Sequence, residues 1–449
     1  MSNPEKQTSR PEAVASGIAD DRSMVEMVYA PQERQTRLCV FGGEGWLFEN
    51  QLAINGQESV PFSPGNNLIR HDVVLFPSAP AEYGSPADLV VAIQEFIHRY
   101  VDVSPSFEKI ATHYVLLSWV YDAFQELPYL RVRGDFGSGK TRALLTIGSL
   151  CYKPMFASGA STVSPLFRIL DAFRGTLVMD ESDFRFSDEG AEIIKILNNG
   201  HARGFPVLRS EVVNRQEYDP RAYAVFGPKI IATRGMFSDG ALESRCITED
   251  LGQRSIRDDI PLNLPDSFKD EALALRNKLL LYRFRNRFTV GHLRTIADRG
   301  VEPRITQVFA PLLNVVEDEQ TIQELLDLAR TSSHQLVLDR GMRAEGQVLE
   351  VIATLMQANT GAAIPLRTIA STFMERFGNE QEHEVSIRWI GSVIRGRLQL
   401  RPYKSHGVYV LPTTEFPKLR CLFGRYGVDI NDPPERVDQG DTGDVAAAP

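Results

Sequence analysis

The sequence predicts an α/β protein built on a parallel β-sheet with flanking helices. Three apolar runs, residues 129–133, 175–181 and 229–233, have the composition and length of buried strands. Helical segments separate these runs, and strands that alternate with helices are typical of parallel sheets covered on both faces. Ligands of such sheets bind at the carboxyl ends of the strands, so functional residues are expected there.

The composition excludes several classes of protein. Of the 449 residues, 43% are hydrophobic and 24% are charged, as in an ordinary globular protein. The net charge of −9 argues against a coat over nucleic acid but permits a local basic site. The four cysteines form no CxxC pair, so neither a zinc site nor a disulfide framework is expected. The scattered cysteines favour a reducing cytoplasm. No apolar run has the length of a membrane helix, and no signal peptide is recognisable.

A glycine-rich segment follows the first predicted strand and precedes a predicted helix. It reads Gly134-Asp-Phe-Gly-Ser-Gly-Lys-Thr141 and fits the phosphate-loop pattern GxxxxGK(S/T). Glycines let successive N–H groups converge on an anion, and the helix adds the positive end of its dipole. The predicted contacts with ATP are Gly134, Gly137, Ser138, Gly139, Lys140 and Thr141, with Lys140 at the β- and γ-phosphates and Thr141 on Mg²⁺. The alternative is a glycine-rich turn that binds nothing.

Two acidic residues end the second predicted strand. Asp180 and Glu181 follow the apolar run 177–179. An aspartate at this position holds Mg²⁺, and the adjacent glutamate polarises the water that attacks the γ-phosphate. The pair therefore predicts hydrolysis of ATP rather than its storage. The alternative is that the two acids merely end a strand.

Two positions further along the chain are catalytic candidates. Thr233 ends the strand 229–233 and is expected to donate a hydrogen bond to the γ-phosphate or to orient the attacking water. Arg245 follows a short loop. It is either a solvated surface residue or a finger that stabilises the charge on the γ-phosphate in a neighbouring subunit.

These segments resemble the AAA+ ATPases, because GDFGSGKT, LVMDE, KIIAT and LESRCI occur in that order. The helix and basic hairpin before Lys229 resemble the minichromosome maintenance and superfamily 3 helicase branch. Three segments are similar to helicase-like ATPases of phages and integrative elements: NNGHARG from Asn198, VFGPK from Val225 and LESRC from Leu242.

The resemblance implies a P-loop NTPase fold and roles for individual residues. Asp180 and Glu181 are then the Walker B pair, Thr233 is sensor 1 in place of the commoner asparagine, and Arg245 is the arginine finger. Arg304, at the start of a lid helix, is the candidate for sensor 2, unless it is an ordinary surface arginine. A finger acting in trans further implies a ring, commonly of six subunits.

Two basic regions are candidates for binding DNA. The hairpin predicted from residues 205–209 and 222–226 carries Arg209 and Arg215. Near the C-terminus, three helices and a hairpin resemble a winged helix, and no acidic residue lies between Val385 and Leu411. Arg388, Arg395, Arg397 and Lys404 of this region are predicted to contact phosphates. A winged helix that binds protein is the alternative. By contrast, the basic face of helix 267–287, which includes Arg276 and Arg283, is expected to be solvated.

These observations divide the chain into six segments. They are a disordered segment 1–36, a small β module 37–80, a P-loop ATPase domain with leading helices 81–264, a helical lid 265–342, a winged-helix-like domain 343–427 and a disordered acidic tail 428–449.

The predicted function is hydrolysis of ATP with Mg²⁺, coupled to action on DNA by a ring-forming helicase or translocase of a phage or mobile element. Two alternatives stay open. One is an initiator or regulator that binds DNA under nucleotide control without unwinding it. The other is an ATPase that remodels proteins and uses the winged helix as an adaptor.

Overall fold

The computed structural model describes residues 11–180, 188–213, 217–237, 239–253, 255–291, 301–342, 344–358, 362–377 and 385–428. The chain divides into two compact units, Met1–Arg330 and Thr331–Pro449. The sequence predicts this boundary after residue 342, between the helical lid and the winged-helix-like domain. It falls earlier because the last turns of one helix belong to the second unit, where a β-carbon on Gly341 would come within 3.0 Å of the Tyr426 carbonyl.

Seven strands form two small sheets at the start of the first unit. They are β1 (Glu12–Val14), β2 (Ser16–Ile18), β3 (Met24–Ala30), β4 (Gln35–Phe41), β5 (Trp46–Glu49), β6 (Leu52–Ile54) and β7 (Gln57–Pro61), followed by the short helix α1 (Asn67–Arg70). One sheet has the order β1-β7-β6 and the other has the order β2-β3-β4-β5. The β module therefore begins at Glu12 rather than at residue 37.

The prediction that residues 1–36 are disordered is wrong for the described part, residues 11–36. Strand β3 is buried from Met24 to Val28, although the charge of Glu26 interrupts its apolar run. A charged residue in a short segment is normally read as exposed. The apolar residues 73–76 form no strand, and Val74 makes an isolated bridge to Met155.

Glu26 belongs to a buried cluster of charged side chains from distant parts of the chain. Glu26 is only 1% exposed. Its carboxylate accepts hydrogen bonds from Arg283 Nε at 2.7 Å and from Tyr152 OH at 2.7 Å. Lys153 Nζ lies 2.9 Å from its other oxygen, and Arg283 also pairs with Asp122 at 2.9 Å. Because an unpaired buried ion costs several kcal/mol, these partners fix β3 in the interior.

We expect Glu26→Gln to lower the free energy of unfolding of the first unit by about 3 kcal/mol, because the amide leaves Lys153 and Arg283 buried beside an uncharged group. The midpoint of urea unfolding of the full chain measures this change. Glu49→Gln, at an exposed position of β5, is the matched control and should leave the midpoint almost unchanged. Equal shifts for the two variants would contradict the role of the cluster.

Two helices precede the central sheet, α2 (Pro86–Tyr100) and α3 (Pro105–Trp119). Each helix begins after a serine cap and a proline: Ser85 forms a capping box with Asp88, and the Ser104 hydroxyl accepts a hydrogen bond from a main-chain N–H of the first turn. Helix α3 ends at Trp119, and residues Tyr121–Ala123 form a separate 3₁₀ turn.

The predicted parallel α/β sheet is confirmed, with five strands in the order β14-β8-β13-β10-β9. The elements of this region are β8 (Tyr129–Arg133), α4 (Lys140–Gly148), β9 (Met155–Ser158), α5 (Val163–Phe173), β10 (Leu177–Asp180), α6 (Asp188–Asn199), β11 (Val207–Val213), β12 (Glu217–Tyr223), β13 (Lys229–Thr233), α7 (Gly240–Glu243) and β14 (Cys246–Asp250). The chain leaves β8 for the edge strand β9 and later returns to the other side of β8. This change of direction places β8 at a switch point, where loops part and ligands bind.

Strands β11 and β12 form an antiparallel hairpin outside the central sheet and are longer than predicted. Lys229, at the start of β13, anchors the root of this hairpin from the interior. Its ammonium group donates to the carbonyls of Gly200, Val225 and Gly227 at 3.1, 3.0 and 2.9 Å. Burial lowers the pKa of Lys229 to about 7. One buried cation therefore connects the end of α6, the end of the hairpin and the sheet.

Three helices complete the region that was predicted to be a lid: α8 (Ser267–Asn286), α9 (Pro303–Leu313) and α10 (Glu319–Gly341), with the boundary between the units inside α10. The expectation of a solvated basic face on α8 is wrong for Arg276 and Arg283, which are 6% and 3% exposed. Arg276 donates to the Ser149 carbonyl at 2.7 Å. Both side chains bind groups that are distant in sequence, so helical periodicity did not reveal their burial.

The second unit has its own apolar core and a three-stranded antiparallel sheet with the order β15-β17-β16. Its remaining elements are α11 (Ala344–Ala358), β15 (Ile364–Pro365), α12 (Leu366–Phe377), α13 (Ile387–Ser392), β16 (Tyr403–Ser405), β17 (Val408–Leu411) and α14 (Phe416–Tyr426). A π turn, Val393–Arg397, follows α13. The sequence indicated the first three helices and the hairpin but neither β15 nor α14.

None of the helices in the described ranges carries an apolar stretch long enough to cross a bilayer.

Candidate nucleotide site

The loop between β8 and α4 has glycine where the backbone or its surroundings leave no room for a side chain. Gly137 and Gly139 have φ angles of +72° and +91°, in the left-handed region that glycine tolerates. A β-carbon on Gly134 would lie 2.9 Å from the Leu251 carbonyl. The N–H of Gly134 donates to the Thr233 carbonyl at 3.1 Å, so the loop is joined to the end of β13.

Helix α4 begins at Lys140 and has Gly139 as its N-cap. The first N–H groups of a helix have no intrahelical acceptor, and the helix dipole is positive at this end. Lys140 Nζ donates to the carbonyls of Gly134 and Asp135, each at 2.7 Å. The ammonium group is therefore held over the loop, and the start of α4 has the donors and the charge that an anion requires.

Two oxygen groups that could bind a metal meet where β10 ends and α4 begins. The Thr141 hydroxyl donates to Asp180 Oδ2 at 2.5 Å, although 39 residues separate the two positions. Carboxylate and hydroxyl oxygens are hard donors of the kind that Mg²⁺ prefers, so this pair fits the predicted metal. Glu181, the predicted base, lies outside the described residues.

These groups line one cleft of about 330 Å³ at the carboxyl edge of the central sheet. Its lining residues are Phe136, Gly137, Ser138, Gly139, Lys140, Thr141, Arg142, Asp180, Thr233 and Arg234. The hydroxyl oxygens of Ser138 and Thr233 are buried and have no hydrogen-bond partner among the described residues. Because a buried hydroxyl is normally satisfied, these two groups indicate a ligand with acceptor oxygens.

Sequence reasoning missed two residues at the mouth of the cleft. The Arg234 guanidinium lies 3.8 Å from the centre of the Phe136 ring, which is 74% exposed. Arg234 directly follows Thr233, and Phe136 fills a free position of the phosphate-loop pattern. The sequence signal that could have revealed Arg234 is its position directly after Thr233, a predicted contact of the γ-phosphate. The contact joins the two sides of the cleft and places a second cation beside Lys140 at the site.

The other two candidates for the nucleotide, Arg245 and Arg304, do not line this cleft. The Arg245 carbonyl accepts a hydrogen bond from the N–H of Tyr129, the first residue of β8. A strand of this length separates its two ends by about 13 Å, so Arg245 lies at the amino edge of the sheet, opposite the phosphate loop. Arg304 Nε donates to the Ser244 hydroxyl at 3.2 Å, beside Arg245. Arg304 was expected at the nucleotide as sensor 2, but from this position it cannot contact a nucleotide in the cleft of its own chain.

Arg245 and Arg304 form a cationic cluster with the partly buried His201. Arg245 donates to the side-chain oxygen of Asn198, and its Nε has no partner within the described ranges. Burial, then the charge of Arg304, lower the pKa of Arg245. Burial and Arg245 lower the pKa of His201 to about 4. The histidine is therefore neutral near pH 7, and the positive charge of the cluster resides on the two arginines.

The predicted DNA contacts of the first unit lie on the hairpin. Arg209 Nη2 pairs with Glu192 at 2.9 Å, and its guanidinium lies 5.3 Å from the Phe167 ring. Arg215 lies outside the described residues. The charge of Arg209 is thus compensated within the chain, which weakens its attraction for phosphate.

The predicted DNA contacts of the second unit differ among themselves. Arg388, Arg395 and Lys404 are exposed. Arg397 pairs with Glu345 at 3.1 Å, so its charge is partly compensated. Arg395 lies 5.7 Å from the Tyr409 ring.

Comparison with known proteins adds little at the level of sequence. No protein-family model and no curated protein matches the chain. Among solved structures, the apo NrS-1 C-terminal region is similar, with 10% identity and a TM-score of 0.35 over 86% of this chain and 95% of the other. A JCV helicase bound to a small molecule has 14% identity and a TM-score of 0.25 over 58% of this chain and 63% of the other. At these TM-scores neither likeness decides fold or function, which rest on the geometry.

We expect Arg234→Ala to weaken the binding of ATP about tenfold, which is the effect of losing one charge-assisted hydrogen bond. Arg234→Lys, which keeps the charge, should lose less. Titration with a fluorescent ATP analogue measures both, and Arg70→Ala, at an exposed position of α1, is the matched control. Unchanged affinity in Arg234→Ala would show that the arginine does not contact the nucleotide.

Proposed function

We propose that the protein hydrolyses ATP with Mg²⁺ and couples hydrolysis to action on DNA, as a ring-forming helicase or translocase. One observation carries the ATPase assignment. Lys140, Thr141, Asp180 and Thr233, taken from three different strand ends, meet in one cleft at the carboxyl edge of a parallel sheet. A structural glycine turn needs none of these side chains in a common cleft.

The roles of the residues follow from their chemistry. The N–H groups at the start of α4 and the Lys140 ammonium bind the β- and γ-phosphates of the substrate. Thr141 and Asp180 would hold Mg²⁺, which would supply positive charge to the bound phosphates. The Thr233 hydroxyl, buried without a partner in the described part of the chain, donates to the γ-phosphate or orients the attacking water. Glu181 follows Asp180 and is our candidate for the base that accepts the proton of that water.

Lys140→Ala and Asp180→Asn should each lower kcat for ATP hydrolysis at least about 100-fold, because each removes a group that stabilises transition-state charge. A phosphate-release assay with saturating Mg²⁺ measures the rates. Lys195→Ala, at an exposed position of α6, is the matched control and should keep the wild-type rate. Activity in Asp180→Asn equal to wild type would remove the basis of the ATPase assignment.

The opposite positions of the cleft and of Arg245 support an active site shared between subunits. Within one chain Arg245 lies at the amino edge of the sheet and the cleft lies at the carboxyl edge. A ring of head-to-tail copies brings one edge of each subunit to the other edge of the next. In such a ring, Arg245 and Arg304 of one subunit stabilise the γ-phosphate bound by its neighbour.

Mixing two inactive variants tests this arrangement. Lys140→Ala keeps Arg245, and Arg245→Ala keeps the cleft, so mixed assemblies contain some complete sites and should regain ATP hydrolysis. A mixture of Lys140→Ala with Asp180→Asn, both damaged in the cleft, is the control and should stay inactive. Native mass spectrometry verifies that the two variants assemble together. If they do and the first mixture still does not hydrolyse ATP, Arg245 does not act on the site of a neighbouring subunit.

The basic surface of the second unit supports action on DNA, and the winged-helix interpretation assigns Arg388 and Lys404 to phosphate contacts. The hairpin gives weaker support, since Arg209 pairs with Glu192. That pairing favours the alternative of an initiator that binds DNA through its second unit without unwinding it. A strand-displacement assay separates the two: a helicase displaces a labelled strand with ATP, whereas an initiator binds and hydrolyses without displacing it.

A further inference from the structure

A groove in the second unit has a lining that the proposed ATP site does not use. The segment 385–428 contains eight arginines and lysines and a single acidic residue, Glu415, although the whole chain has a net charge of −9. The groove has a volume of about 500 Å³ and is lined by Arg395, Gln399, Leu400, Arg401, Pro402 and Lys418. Three of these six residues are cationic and none is acidic, so the groove presents a local positive field.

The backbone that forms the groove is held in an unusual conformation. The π turn Val393–Arg397 leads into Gln399, which has a φ angle of +54° although it is not glycine. Left-handed backbone at a bulky residue is costly and persists where the surroundings fix it. Here Lys418 of α14 donates to the Gln399 carbonyl. An ammonium group has three donors, so Lys418 can hold the backbone and still bind an anion.

An aromatic ring continues the basic surface beyond the groove. Tyr409 of β17 is 49% exposed, and Arg395 of the groove lies 5.7 Å from its ring. Lys404 pairs with Tyr409 across β16 and β17, so both side chains stand on the same face of the hairpin. The ring therefore has a groove arginine on one side and a lysine beside it.

We propose that this groove binds the sugar–phosphate backbone of a single DNA strand, and that Tyr409 stacks on an unpaired base of that strand. The proposal rests on the proposed action on DNA and names the form of DNA that the second unit takes. A cationic groove beside an exposed aromatic ring is the combination by which proteins bind single strands, because each base offers a face for stacking. Arg397 has no part in this site, since it pairs with Glu345.

The experiment measures binding of the full chain, without nucleotide, to a fluorescent thymidine 30-mer and to a duplex of equal length over a series of salt concentrations. Arg401→Ala/Lys418→Ala should weaken binding to the single strand at least tenfold and reduce the salt slope by about 1.4, which corresponds to the loss of two phosphate contacts. Arg367→Ala/Arg425→Ala removes the same charge from exposed positions of α12 and α14 that do not line the groove. This control should keep nearly wild-type affinity.

Variants of Tyr409 distinguish stacking on a base from simple attraction between charges. Tyr409→Ala should weaken binding to the single strand about tenfold and leave its salt slope unchanged, whereas Tyr409→Phe should bind like wild type. Binding to the duplex should respond little to either variant. Equal losses in the groove and control double variants would overturn the groove. A loss of duplex binding as large as that of single-strand binding, with no effect of Tyr409→Ala, would overturn the single-strand assignment.

Two further measurements keep this proposal separate from the ATPase assignment. Lys140→Ala should bind the single strand like wild type, and the groove variants should keep the ATPase rate that the wild type shows without DNA. If Lys140→Ala hydrolyses ATP normally, the ATPase assignment fails while the groove is still tested by binding. Polyglutamate binding as tightly as the 30-mer would overturn nucleic acid as the ligand.

Discussion

Pairing of buried charge is the constraint on which the first unit depends. Glu26 of β3 lies in the interior, where an ion without a partner costs several kcal/mol, and Arg283 and Lys153 supply the partners. The three residues belong to the N-terminal module, the central region and α8. Removing any one of them leaves charge in a medium that solvates it poorly. The cluster therefore selects one arrangement of the three parts and does more than add stability.

A second buried charge, near the candidate nucleotide site, is also paired. Arg131 lies in the middle of β8, two residues before the end of the strand that carries the phosphate loop, and is almost completely buried. Its Nη1 donates to Glu243 Oε2 at 2.6 Å, and its Nε donates to Thr248 at 3.0 Å. Glu243 also accepts the N–H of Phe237 at 2.8 Å. One buried ion pair thus fixes the segment that leads from Thr233 to Arg245.

The parallel sheet explains why the candidate site has two separate halves. Groups at carboxyl ends converge on the phosphate loop, whereas Arg245 and Arg304 stand at the amino ends. A single chain cannot bring the two sets together without breaking the sheet. In the ring that we propose, both sets of groups serve one nucleotide, and hydrolysis then depends on the contact between subunits. The basic groove of the second unit, which we propose as the site for DNA, uses none of these residues.

By itself the sequence determined the elements whose signals are local. The phosphate-loop spacing of Gly134 to Thr141 and the apolar strands that end at Asp180 and Thr233 depend on neighbours within a few residues. The parallel sheet and the convergence of Lys140, Thr141 and Asp180 followed from these signals, because parallel strands share one carboxyl edge.

Only the tertiary structure decided the features that depend on partners far along the chain. The burial of Glu26, the buried role of Arg283 and the position of Arg304 each require a contact across tens to hundreds of residues. A charged residue looks alike in sequence whether it is solvated or paired in the core, because its environment is set by the fold. The Arg234–Phe136 contact and the basic groove likewise appear only when segments that are separate in sequence meet.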